Sequence, residues 1–145
     1  MSGSTATLDV ARRFVDALNQ GDKEALLGLL SQEAVWYSVA SGEIDHGRAD
    51  TALNLLAFRG SFPDLHEEIS NAFSDGHQVA LETVATGTYD GKAFPTISGS
   101  GRHVTVKLCY ILRVRDGLIG EITTYMDYRS LMVQLDMIMT PSPNA

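Results

Sequence analysis

Apolar residues recur along the start of the chain with the three-and-four spacing of one helical face: Leu8, Ala11, Phe14, Val15 and Leu18. Thr7 or Asp9 is placed to cap this helix, and residues 1–6 read as a loose polar tail. Asn19-Gln20-Gly21-Asp22 ends it, and Asp22 caps a second helix over 23–30 that carries Ala25, Leu26, Leu29 and Leu30. The two make a helical hairpin. The pattern turns β-like over 34–39. The segment from Gly42 to Gly47 is turn-like, with room for a short second strand. A third helix, capped by Asp50, runs to about residue 58 with Leu53, Leu56 and Ala57 on one side.

Beyond Phe62-Pro63-Asp64 the period changes to two. A strand over 65–73 meets a hairpin turn at Ser74-Asp75-Gly76-His77, and a returning strand covers 79–89. The Gly/Ser/Pro-rich stretch from Asp90 to Gly101 reads as a loop and a pocket rim. The segment 102–115 alternates: Val104, Val106, Leu108, Tyr110, Leu112 and Val114 share one face. His103, Thr105, Lys107, Cys109, Ile111 and Arg113 share the other. Asp116-Gly117 is a tight turn into a last strand ending at Tyr125-Met126-Asp127, followed by a short apolar helix with Gln134 and Leu135. Helices in the N-terminal half, a mostly antiparallel sheet and a closing helical turn make an α+β fold in one domain over 1–145. Residues 140–145 read as a tail.

The 145 residues fit one domain able to bury roughly two-thirds of its unfolded surface, enough for a core with an internal cavity. A net charge of −7 disfavours nucleic acid and anionic membrane as partners. No apolar run reaches the ~18 residues of a membrane span, and the start lacks the pattern of a signal peptide. The expectation is a soluble, cytoplasmic protein. The lone Cys109, in mid-strand, reads as a buried small apolar residue.

Motifs for phosphate, dinucleotide or metal are missing. Gly99-Ser100-Gly101 is too short for a dinucleotide fingerprint and lacks a βαβ setting. His46, His66, His77 and His103 are scattered singly, so neither a metal nor another cofactor is expected.

The order of several elements resembles the SnoaL-like polyketide cyclases of the nuclear-transport-factor-2-like superfamily. The resemblance rests on Phe14, Val15 and Asn19 in the opening helix, Asp45-His46-Gly47, Phe62-Pro63-Asp64-Leu65, and Gly87-Thr88-Tyr89 with Gly91. Gly101-Arg102-His103-Val104, the run from Arg113 to Glu121, and Asp127 with Leu131 and Gln134-Leu135 complete it. It implies a cone-shaped curved sheet wrapped by helices around an apolar pocket, and a homodimer formed through the outer sheet face. It also implies a His and an Asp, two residues apart, on the last strand; here Ile122 and Thr124 stand there. Epoxide hydrolases of the same fold resemble this chain at Asp127, but Thr83 and Ala85 replace their Arg and second Asp.

The remaining candidates for chemistry are Asp127, Glu82, Thr124, Tyr37 and Tyr89. Asp127 either faces the pocket or caps the final helix through amides near Ser130. Glu82 acts as an acid or base if it points inward, in which case Thr83 points out; the opposite register exchanges them. Tyr37 and Tyr89 either donate to an oxyanion or pack in the core. Phe14, Trp36, Phe58, Phe62, His66 and Tyr125 are the candidate pocket residues. The first reading is a cofactor-independent, ring-forming cyclase that templates an apolar polyene or polyketide. The others are an isomerase, dehydratase or epoxide hydrolase using Asp127 or Glu82 as base, and a non-catalytic small-molecule-binding or interaction protein.

Overall fold

A computed structural model of the chain describes residues 3–92 and 101–137. Helix α1 (Gly3–Gln20) buries Val10, Ala11, Phe14, Val15, Ala17 and Leu18, the face that the spacing predicts. It begins earlier than expected, so residues 3–6 are helical and not a loose tail, and neither Thr7 nor Asp9 is its cap. The reason lies in the hydroxyls. Thr7 Oγ1 donates within the helix to the carbonyls of Gly3 and Ser4, and Ser4 Oγ reaches the carbonyl of Ser74 at 3.3 Å. The polar start is thereby tied to the hairpin beneath it. Helix α2 (Lys23–Leu29) is capped as expected, Asp22 accepting from the Ala25 amide at 3.0 Å.

Strand β1 (Leu30–Ser38) starts four residues earlier than 34, because Leu30 is buried and already pairs with Ile119 before an irregularity in the ladder. Strand β2 (Ile44–His46) leads into α3 (Arg48–Leu55). Gly47, not Asp50, stands at the N-cap of α3, and the helix stops at Leu55; a 3-10 turn over Ala57–Gly60 follows. Strands β3 (His66–Ser74), β4 (Gln78–Thr88), β5 (His103–Arg115) and β6 (Leu118–Met126) and helix α4 (Tyr128–Gln134) complete the chain. The β5–β6 turn holds Asp116 at φ 53° and Gly117 at φ 77°, the left-handed pair that tight hairpins need. Residues 93–100 of the expected rim loop, and the tail over 140–145, lie outside the described residues.

The six strands form one curled, unclosed sheet in the order β2-β1-β6-β5-β4-β3. All neighbours are antiparallel except β1 and β6, which run parallel. The inner face of β5 is the one the alternation predicts: Val104, Val106, Tyr110, Leu112 and Val114 are buried. Two apolar clusters fill the concave side. One gathers α1, α2 and the far ends of β4–β6. The other gathers Phe62, Tyr89, Val104, Val106, Leu131, Met132 and Leu135 under α4. Between them lies the cavity described next. Among the described residues no helix is long and apolar enough to cross a membrane.

Candidate active site

The sheet register lines up inward side chains from five strands. Glu67 pairs with Ala85, Thr83 with Leu108, Tyr110 with Thr124, and Ser38 with Thr124. Two adjoining hollows open over this row and share Leu55, Phe58, Leu108, Tyr110 and Met126 in their walls. One, about 70 Å³, reaches Phe62, Val104, Val106 and Glu67. The other, about 200 Å³, reaches Trp36, Thr124, Asn54 and Tyr128. No Lys, Arg or His lines either one among the described residues. A larger hollow, about 680 Å³, lies at the start of α1 beside the β3–β4 and β5–β6 turns. It is an open groove whose charged walls include the exposed Arg113–Glu121 and Arg115–Asp116 pairs, and it holds no buried carboxyl among the described residues.

Glu67 is the centre of the inner row. It is 6% exposed, and its Oε1 accepts from Tyr110 Oη at 2.8 Å and from Thr83 Oγ1 at 2.9 Å. Burial pushes its carboxyl above the ordinary glutamate range, against the opposing pull of the Tyr110 and Thr83 hydrogen bonds and of His66. Burial raises the Tyr110 phenol well above its usual range as well, helped by the Glu67 charge and hydrogen bond, so it remains a donor. The Phe14 ring meets the Tyr110 ring edge-on at 5.3 Å and holds it in place. Asn19, at the end of α1, grips the Glu67 backbone from both sides: Nδ2 donates to its carbonyl at 2.8 Å, and Oδ1 accepts from its amide at 2.7 Å. Arg59 donates to the carbonyls of Leu18, Asn19 and Leu65, joining the same junction and completing the end of α1. At the other end of the row, Trp36 Nε1 donates to Thr124 Oγ1 at 2.8 Å.

The candidate residues divide accordingly. Thr124, Trp36, Phe58 and Phe62 line the hollows. Phe14 and Tyr89 do not. Both are fully buried, Phe14 behind Tyr110 and Tyr89 against Phe62 at 5.7 Å between ring centres. Glu82 is exposed on the outer sheet face, where Asn71 Nδ2 donates to it at 3.2 Å, and Thr83 takes the inner position. Asp127 is exposed and caps α4, accepting from the Ser130 amide at 3.1 Å. Tyr37 alternates with the inward Trp36 and Ser38 and so faces out. His66 is exposed because its neighbour Glu67 takes the inward place. Tyr125 is 49% exposed on the outer face. Neither carboxylate expected from the sequence reaches the hollows; the two that do, the buried Glu67 and the exposed Glu43 at the rim, are not among the candidates. The signal for Glu67 was the alternation Leu65, Glu67, Ile69, a single carboxylate between apolar residues of one face.

The positions of the absent family pair are informative. Ile122 is fully buried and Thr124 is 8% exposed, so both face inward. Thr83 and Ala85 are likewise inward, where the epoxide hydrolases resembled above carry ionisable groups. Those inward positions hold apolar or hydroxyl side chains, and the buried carboxyl comes from the neighbouring strand. Cys109 is half-buried on the outer face, not fully buried; partial burial and Glu82 push its thiol up, which disfavours the thiolate. Among the described residues no group of three His, Cys, Asp or Glu side chains is placed to hold a metal ion.

Solved structures of similar shape fit this architecture. AclR from Streptomyces galilaeus, a candidate hydroxylase, is 25% identical with a TM-score of 0.80, over 94% of this chain and 88% of that one. IdmH from Streptomyces antibioticus, a candidate polyketide cyclase, is 28% identical with a TM-score of 0.78, over 88% of this chain and 96% of that one. A candidate SnoaL-like polyketide cyclase from Jannaschia sp. CCS1 is 19% identical with a TM-score of 0.82, over 95% of each chain, which shows the shared fold. No curated protein matches the sequence. The family model of the SnoaL-like polyketide cyclases matches residues 8–135, nearly the whole of the fold described above, and the chain belongs to that family.

Proposed function

We propose that this protein is a cofactor-independent, ring-forming cyclase that folds a linear polyene or polyketide chain inside its apolar hollow. The observation that carries the reading is the character of that hollow. Its walls are Leu, Phe, Val and Met side chains, interrupted by a few hydroxyls, the Trp36 indole, Asn54 and two Glu side chains, Glu67 and Glu43. Such walls suit a flexible apolar substrate, and holding it in a reactive fold lowers the barrier by removing unproductive conformations. Family membership and the fold support an enzyme of cyclase or isomerase type. An isomerase, dehydratase or epoxide hydrolase working through Asp127 or Glu82 is disfavoured, because both side chains are exposed and engaged elsewhere. As a partner we propose a second copy of the chain, paired through the outer sheet face.

The test uses the one tryptophan of the chain, Trp36, which lines the larger hollow. A linear conjugated polyene ketone should quench its fluorescence on binding. Incubation with the protein should then yield a product of unchanged mass and shortened conjugation. A product whose mass has changed by water or oxygen, or binding without any ring closure, would refute the cyclase reading.

A further inference from the structure

Glu67 is a buried carboxyl in an apolar wall, and nothing in the templating reading uses it. Its setting decides what it can do. Both hydroxyls that reach it, from Tyr110 and Thr83, donate to the same oxygen, Oε1. No described residue donates to Oε2, and Glu67 itself forms part of the wall. Among the charged and titratable groups around it none is hydrogen-bonded to the carboxyl as a counter-ion, and the pull of His66 is weaker than the effect of burial. His66 on the same strand is exposed, and Tyr110 on β5 is itself held neutral by burial. The Arg59 guanidinium is engaged with three backbone carbonyls. Burial in an apolar wall penalises the carboxylate and favours the neutral acid. With Oε1 accepting twice, the proton resides on Oε2.

We infer that Glu67 is a catalytic residue of the cyclase proposed above: its Oε2 hydroxyl donates a hydrogen bond to a carbonyl oxygen conjugated to the substrate polyene. The substrate class is thereby narrowed to a polyene that ends in a ketone, aldehyde, ester or thioester, with its carbonyl at the Glu67 end. The remainder of the chain extends past Phe58 and Tyr110 toward Trp36. Donation to the carbonyl oxygen withdraws electron density from the conjugated double bond, which accelerates addition across it. The proton stays on Glu67 throughout, so the step needs no base, oxidant or other co-reactant. Tyr110 and Thr83 are positioning residues. They orient the carboxyl and stabilise its Oε1 as an acceptor.

The inference rests on the apolar hollow being a substrate site, and the test separates the two. Benzylideneacetone, isotope-labelled at its carbonyl, is an enone probe; trans-β-methylstyrene is a hydrocarbon of similar shape. In the wild type the carbonyl stretch of bound benzylideneacetone should fall below its value in hydrocarbon solvent. In Glu67→Gln the fall should be smaller, and in Glu67→Met it should vanish. Enone affinity should drop roughly 10-fold in Glu67→Met, the size of one lost hydrogen bond. The hydrocarbon should bind all three within about 2-fold, since it makes no such bond. Tyr110→Phe should keep the enone bound with a partial loss of the band shift. A carbonyl band unshifted in the wild type, or unchanged from wild type to Glu67→Gln, overturns the role of Glu67 while leaving the hollow as a binding site. Failure of the wild type to take up either probe overturns the hollow, and this inference with it.

Discussion

At the scale of single residues, the buried carboxyl makes the stability of the protein depend on pH in a definite direction. Burial, the largest influence on Glu67, raises its folded-state value above the ordinary 4.5. Below that value both folded and unfolded chains are protonated, and the group costs nothing. As pH rises past 4.5 the unfolded chain ionises first, so the folded state loses ground until the pH passes the raised value. Urea unfolding of wild type and Glu67→Gln should therefore diverge. The wild type loses stability relative to the variant between the acid range and neutrality, and parallel pH curves would contradict a buried neutral acid. Asp127 and Glu82 give the converse expectation. Asn is as good an N-cap as Asp, and Glu82 is exposed, so Asp127→Asn and Glu82→Gln should each leave turnover within about 2-fold of wild type. A large loss in either would return the chemistry to those carboxylates.

At the scale of elements, the hollow depends on how helices and strands are tied at its edges. Strand β6 leaves β5 at Leu108, the partner of Met126, so the earlier part of β5 has a free edge. Gln134 of α4 covers it. Its Oε1 accepts from the Thr105 amide and its Nε2 donates to the Thr105 carbonyl, both at 2.8 Å, as a further strand would. Gln134→Ala should lower stability by about 0.5–1.5 kcal/mol in denaturant unfolding, the net worth of a hydrogen bond whose partners water can reach. Gly87 in β4 controls the opposite wall. A Cβ there would lie 3.2 Å from Phe62 Cβ and 3.5 Å from Leu65 Cα, so the Phe62 ring has to give way. Phe62 lines the smaller hollow, and Gly87→Ala should weaken polyene quenching of Trp36 with little change in secondary structure. Unaltered quenching would mean that Phe62 does not bound the site. Asn19, which holds the Glu67 backbone, links the end of α1 to the chemistry of β3.

At the scale of the whole molecule, the outer sheet face carries a row set by the strand register: Phe73, Ala80, Ile111, Thr123, Tyr37 and Ile44 pair successively across all six strands. Phe73 is 59% exposed and Ile44 51%. Burying this row against the same row of a second copy gives an isologous contact, the commonest form of dimer. Lys107 and Arg113, exposed on the same face, offer charges to Glu82 of the other copy. Light scattering at micromolar concentration should report a dimer for the wild type and a monomer for Ile111→Lys. A monomeric wild type would rule the pairing out.

Local sequence pattern was enough for the helical face of α1, the Asp22 cap, the Asp116-Gly117 hairpin and the inner face of β5, Tyr110 included. Each rests on a period or a turn preference contained within a few residues. The α+β fold and the family were legible for the same reason, since the order of such elements is itself a pattern. Which carboxylate faces inward was not legible. Strand β3 has an irregularity between Ile69 and Asn71, where Ser70 is an extra residue against β4. Past it the alternation changes phase. Glu67 and Ile69 face in, but Phe73, which a regular strand would place on their face, is exposed. With the polar Asn71 on its face in a regular strand and Glu68 beside it, Glu67 could not be told from a solvated residue. Only pairing with β4, which puts Thr83 and not Glu82 inward, and the Asn19 grip from α1 determine that Glu67 is a buried carboxyl turned toward the hollow.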